Sequence, residues 1–240
     1  AGFANFNSEL ADIAERADAE GLKLTGLWGM SELQALAARR DPLDDVSARK
    51  VPGGKLISPR GQVQVRDPES GKLLGVGEAG ELEIAGPSQM LEYYLNPEAT
   101  AEAVTEDGFI RTGDLGMLEP DGGFEFLSRM GDVLRLGGFL VAPAEIEAEV
   151  QSHQSVESVQ VIGAGSAAGN KAVAFVIPAE GSAIDEAAIL AHCAQQLARF
   201  KVPARVIPVD AFPVTESANG IKIQRGKLRT MAEEILRESG

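Results

Sequence analysis

A single cysteine, Cys193, is the whole thiol content of the 240 residues. That excludes an intramolecular disulfide framework and a cysteine-based zinc site. His192 precedes it, but two adjacent residues are no ligand set, and the surrounding pattern predicts a buried helix thiol. No apolar run approaches the ~18 residues of a membrane helix, and no signal-peptide pattern is present. The expectation is a soluble, cytoplasmic protein without a transmembrane segment. Aromatic residues make up 5% of the chain, with one Trp, so the cores must be built mainly from Ala, Val, Leu and Ile. Basic residues number 22 against 36 acidic ones, for a net charge of -14. Such a field repels phosphate and argues against nucleic acid or anionic membranes as general partners. It leaves room for a nucleotide in a local pocket. The acidic residues are spread along the chain and read as a solubilising surface. An initiator Met is also lacking, and structured sequence starts at once, which suggests a piece cut from a longer protein.

What is present is ordered. Residues 8–20 carry Leu10, Ile13, Ala14 and Ala17 at helical spacing, with Ser8 as N-cap and Gly21 as stop. LKLTGLWGM (22–30) predicts a short buried strand running into a loop. Over 50–127 the runs QVQVRD, GELEIAG and GFEFLS alternate between Gly, Pro and Asp-Gly turns, which predicts a small antiparallel β-barrel-like unit. After about residue 130 strands alternate with helices, the pattern of a compact α+β domain. VLRLGGFLVAP reads as strand–turn–strand, PAEIEAEVQS as a helix with Pro143 at its start, and FPVTESANG as a loop before a final helix from Gln224. The expected organisation is α+β: residues 1–127 as one body, 128–131 as a hinge, 132–240 as a second body.

Four segments carry candidate chemistry. AGSAAGNK (164–171) imitates a phosphate loop, but Asn170 separates Gly169 from Lys171 and Ala172 stands where Ser or Thr is needed. It reads as a hairpin turn. RTGDLG (111–116) puts Asp114 on a Gly-flanked turn, where a carboxylate can accept two ribose hydroxyls or merely close an Asx-turn. WGMSE (28–32) offers an indole, a hydroxyl and a carboxylate for base stacking, a phosphate hydrogen bond and Mg²⁺ ligation. Its competing reading is a helix cap, with Ser31 opening ELQALAAR. NGIKIQRGKLR (219–229) sets lysines where a carboxylate or phosphate can be steadied, or forms only a solvated helix start.

Together these segments resemble the adenylate-forming superfamily of acyl-CoA synthetases, peptide-synthetase adenylation domains and luciferases. WGMSE is similar to its aromatic-G-x-[TS]-E, GFIRTGDLG to its TGD motif, SRMGDVLRLGGFLVAPAEIE to its R-x-x-D…G…P-x-E motif, and PVTESANGIKIQRGKLR to its closing lysine motif. All four stand in the family's order. The resemblance implies that Trp28 stacks on adenine beside Gly29, Ser31 touches the α-phosphate and Glu32 holds Mg²⁺. It implies that Asp114 and Arg129 hold the ribose, and that Lys222 is the catalytic lysine. It also implies that Gly137 and Gly138 line the path of the CoA pantetheine and that Gly131 is the hinge.

Three departures accompany it. The Ser/Thr/Gly-rich triphosphate loop and most of an acyl pocket are not in this stretch and are expected upstream of Ala1. Gly131 replaces the usual hinge carboxylate or lysine. Ile221 is an extra residue before Lys222, which leaves Lys227 as a fallback. The implied reaction joins a carboxylic acid to CoA through an acyl-adenylate, using ATP and Mg²⁺ and releasing AMP and pyrophosphate. The implied setting is fatty acid metabolism. A carrier-protein thiol as acceptor and a non-catalytic interaction module are the alternatives, and a homo-oligomer is compatible with all three.

Overall fold

Short runs of alternating polarity, broken by glycine every few residues, pair more readily than they coil, and the first half of the chain folds as a sheet. The structure is a computed structural model. It describes residues 1–3, 12–166, 169–217 and 220–238, with backbone alone for Ser166, Glu216, Ser217 and 220–222. The expected Ser8 cap lies outside the described residues. The chain divides into two compact units, Ala1–Gly131 and Asp132–Gly240.

The first unit runs β1 (Gly2–Phe3), α1 (Ile13–Ala19), β2 (Thr25–Trp28), β3 (Ala38–Arg39), α2 (Val46–Arg49), β4 (Gly53–Leu56), β5 (Gln62–Arg66), β6 (Ala79–Ala85), α3 (Pro97–Ala103), β7 (Ile110–Leu118) and β8 (Phe124–Arg129). The strands make one sheet in the order β1-β2-β3-β4-β8-β7-β6-β5. The barrel-like closure expected from the sequence is not formed among the described residues. The sheet is open, with β1 and β5 as its edges, whereas a barrel needs both edges paired. Trp28, Leu33, Ala38, Val65, Leu82, Ile84, Ile110 and Phe124 form its core.

Two buried arginines fasten the sheet's flanks. Arg49 donates to Leu24 O at 2.8 Å and Asp44 O at 2.9 Å and pairs with Asp18. Arg40 pairs with Glu119 at 2.6 Å and donates to Val51 O. Glu83 sits fully buried on β6 against the Arg66 guanidinium at 2.9 Å. Polar alternation in GELEIAG therefore marks a paired charge and not a wet face, because a buried carboxylate needs a partner.

The second unit runs β9 (Leu134–Leu136), β10 (Phe139–Val141), α4 (Pro143–Gln151), β11 (Val156–Ser166), β12 (Gly169–Pro178), α5 (Glu186–Gln196), β13 (Arg205–Pro208), β14 (Val214–Ser217), β15 (Gly220–Ile223) and α6 (Arg225–Glu238). β9–β10 and β14–β15 are hairpins, and β11-β12-β13 form a three-stranded sheet with β12 and β13 parallel. The flanks of AGSAAGNK pair antiparallel, as a hairpin requires, with Ser166 opposite Gly169. The loop expected over FPVTESANG is corrected in part, since Val214–Ser217 is a strand that pairs with Gly220–Ile223. The β-branched Val214 and Ile223 close that ladder, a preference that outweighs the turn-rich composition.

Helices α4 and α5 bury Ile146, Val150, Ile189 and Cys193 on one face of the sheet. Helix α6 buries Leu228 and Ala232 on the other. Burial pushes the Cys193 thiol up to about 11, so it stays un-ionised and unreactive near neutral pH. The aliphatic core makes a clear stability test. Ile146→Ala should cost about 2–5 kcal/mol in the second unit, read as a lower urea midpoint, while the first unit, whose core is separate, keeps its own.

Candidate active site

The segment WGMSE opens the loop between β2 and β3, where Trp28 pairs with Ala38. No α-helix follows Ser31. Ser31–Leu33 is one 3-10 turn, and Gln34 and Ala35 then take positive φ of 59° and 74°, which ends any helix. The loop is drawn tight by Ala35 N–H to Met30 O at 2.9 Å and Ala37 N–H to Trp28 O at 3.1 Å. It also explains Gly29. A Cβ there would lie 1.4 Å from Ala35 O, so no other residue fits.

The indole of Trp28 is only 6% exposed. It meets Phe124 edge-on at 5.5 Å and donates Nε1–H to Asp114 Oδ2 at 2.9 Å. In this arrangement the indole acts first as a brace for Asp114, and little of its face is open for a base. Asp114 itself lies within β7, not on a free turn, directly opposite Arg129 of β8. The strand is irregular here: Gly113 has φ +66°, and the register shifts just beyond Leu115. Thr112 Oγ1 donates to Leu82 O at 2.7 Å and accepts the Asp114 N–H at 3.1 Å.

The Asp114 carboxylate is 2% exposed. Its Oδ1 lies 2.7 Å from Arg129 Nη1, a close charge contact that is not aligned as a hydrogen bond, and among the described residues it has no other partner. Burial pushes the Asp114 carboxyl up from its ordinary value, against the opposing pull of Trp28 and Arg129. A buried acceptor with an unused lone pair is costly. It suits a ligand that brings hydroxyl donors.

Glu32 accepts the Tyr93 hydroxyl at 2.6 Å, and this bond holds the phenol above its ordinary value. No group of three or more His, Cys, Asp or Glu able to hold a metal occurs among the described residues. A Mg²⁺ here would take one carboxylate from the chain and the rest of its shell from phosphate and water, the usual manner for that ion. Ser31 is exposed in the same turn.

In the second unit, Gly137 and Gly138 form the β9–β10 turn with φ of 57° and 88°. A Cβ on Gly137 would come within 3.1 Å of Phe200 Cβ, and Phe200 stacks on the 59% exposed Phe139 at 4.8 Å. Lys222 lies on β15 opposite Thr215, with its side chain outside the description. Lys227 is exposed on α6. Gly131 is exposed, with open space where a Cβ would stand. Sequence reasoning passed over Tyr93, Thr112 and Arg225. Thr112 and Arg225 fall within the TGD and closing lysine motifs without a role being read from them, and nothing in the spacing marks Tyr93; each acts on a partner 30 or more residues away.

Residues 145–219 match the model of the AMP-binding enzyme C-terminal domain. A feruloyl-CoA synthase of Amycolatopsis sp. is 36% identical over 91% of this chain and 43% of its own length. A 2-succinylbenzoate–CoA ligase of Geobacillus kaustophilus is 36% identical over 84% and 40%. The chain thus spans about two-fifths of the curated relatives it matches. ATP-bound MatB from Rhodopseudomonas palustris superposes over 98% of this chain and 45% of its own, with TM-score 0.81 and 35% identity. The amide bond synthetase McbA from Marinactinospora thermotolerans superposes over 97% and 46%, with TM-score 0.78 and 30% identity. The chain belongs to the adenylate-forming superfamily of AMP-dependent synthetases and ligases, and it carries that superfamily's C-terminal domain.

Proposed function

We propose that the protein bearing this chain is an AMP-forming acid–thiol ligase, which activates a carboxylic acid with ATP and passes the acyl group to CoA. The observation that carries this reading is Asp114, a buried carboxylate braced by Trp28 and Arg129 with one oxygen left without an aligned donor. Two ribose hydroxyls would satisfy it. Ser31 would reach the α-phosphate, and Glu32 would contribute its carboxylate to Mg²⁺. Lys222 would hold positive charge where the acid's oxygen attacks phosphorus, stabilising charge in the transition state. Gly137 and Gly138 would leave room for the pantetheine arm, and Gly131 would be the pivot between the half-reactions. We place the reaction in the cytoplasm, where ATP and CoA are supplied, with fatty acids within the acid class.

A second acceptor is favoured by one finding: an amide bond synthetase superposes as fully as the ATP-bound structure does. An amine or a carrier-protein thiol is therefore the alternative to CoA. Incubating the full-length enzyme and an activated acid with CoA, a carrier protein or an amine, and measuring which product forms, decides between them.

Three outcomes test the assignments. Lys222→Ala in the full-length enzyme should abolish acid-dependent ATP–pyrophosphate exchange and leave thioester formation from pre-made acyl-adenylate largely intact. Equal loss of both steps would remove Lys222 from the chemistry. Gly131→Pro, which fixes φ and deletes an N–H, should slow one half-reaction by orders of magnitude and leave the other within several-fold. Parallel loss with lower thermal stability would make Gly131 a turn residue only.

Asp114→Asn should weaken AMP binding at least tenfold. It should not weaken the fold at neutral pH, because the amide oxygen still accepts from Trp28. The folded carboxyl titrates above its unfolded value. Its contribution to stability is therefore complete below the unfolded value and is lost as pH rises through the folded one. The Asn variant should lack that loss, seen as a flatter curve of urea midpoint against pH.

A further inference from the structure

Arg225 is the first residue of α6 and stands three positions after Lys222. A cation at a helix N-terminus opposes the helix dipole, and the first turn of α6 carries no acidic residue to offset it. The compensation comes from elsewhere. Arg225 Nη1 donates to Gln160 Oε1 at 3.0 Å, and Nη2 donates to Val161 O at 2.8 Å. Nη2 also lies 3.5 Å from Glu147 Oε1, and Nε lies 3.3 Å from Asp132 Oδ1. Glu147 is itself fixed by accepting the Val161 N–H at 2.8 Å. One guanidinium thus ties α6 to β11, to α4 and to the residue that follows Gly131 in the chain.

The neighbouring bonds secure the base of the β14–β15 hairpin. Gln224 N–H donates to Pro213 O at 2.7 Å, and its side chain donates to Val214 O at 2.8 Å. Lys222 sits two residues up that hairpin, opposite Thr215. The lysine is carried on an arm whose root is clamped by Gln224 and Arg225.

We infer that Arg225 is a positioning residue for Lys222. It holds the lysine hairpin in fixed register with Asp132, so that the segment leaving Gly131 and the arm bearing Lys222 move as one body. The inference rests on the proposed two-step reaction. It requires that loosening the clamp harm the step that uses Lys222 and spare the step that does not. A fork with five donors is suited to the task, since it can reach β11, α4 and Asp132 at once.

The test uses the full-length enzyme with Arg225→Gln, Arg225→Lys and Asp132→Asn, and Lys222→Ala as the reference. In Arg225→Gln, kcat for ATP–pyrophosphate exchange should fall ten- to a hundredfold with KM for ATP within threefold. Thioester formation from pre-made adenylate should stay within threefold. Arg225→Lys should recover part of the lost exchange, and Asp132→Asn should lower it several-fold. If Arg225→Gln does not fold, Arg225→Lys and Asp132→Asn carry the test with the same split between steps. Loss of both half-reactions in parallel, or exchange within twofold of wild type in every variant, overturns the inference. If Lys222→Ala itself retains exchange, the reading of the reaction fails instead.

Discussion

The first unit is organised around a carboxylate that should not be comfortable where it lies. Asp114 is sealed between β2 and β8, and the energy of its desolvation is met by one indole N–H and one close guanidinium. A hydrogen bond to a buried charge contributes about 1.5–3 kcal/mol, so Trp28 is as much a support of this site as a member of the core. Much else follows from keeping that bond. β2 must end at Trp28, the loop must turn back at once, and Gly29 must let Ala35 O pass. Gln34 and Ala35 accept left-handed backbone at a cost of order 1–3 kcal/mol each. Strain and burial collect around one oxygen, as they do where a ligand is expected to complete the hydrogen bonding.

The second unit solves a different problem. Its sheet is covered on both faces, by α4 and α5 on one side and α6 on the other. Its polar side chains serve mainly to fix the ends of these elements. Arg225, Glu147 and Gln160 form such a tie, and Asp185 caps α5 by accepting the Ala188 N–H at 3.1 Å.

Much of this was legible in the residues. The order of four motifs identified the family, the strand and helix periods of the second unit were clear, and Pro143 marked the start of α4. Local spacing failed where distant partners decide. ELQALAAR has good helix formers, yet the pull of Asp114 on Trp28 and the pairing with β4 make it a loop and a two-residue strand. QVQVRD and GELEIAG announced strands but could not announce whether their sheet closed. Trp28 read as a stacking platform because its motif suggests one, and only the fold shows its polar edge spent on Asp114. The burial of Glu83 and its partner Arg66 are legible only once β5 and β6 are in register.

The separateness of the cores has a consequence for how such chains diversify. Among the described residues, the aliphatic clusters of the second unit draw none from before Leu134, and that of the first draws none from beyond Phe126. The Arg225 tie, reaching back to Asp132, also stays within its own unit. A crossover between related genes that falls in the codons for Met130 and Gly131 would therefore transplant a whole core, its caps and its lysine arm together. Recombination at that point exchanges a finished part, whereas a crossover a few residues later would strand Arg225 without the acid it was built to meet.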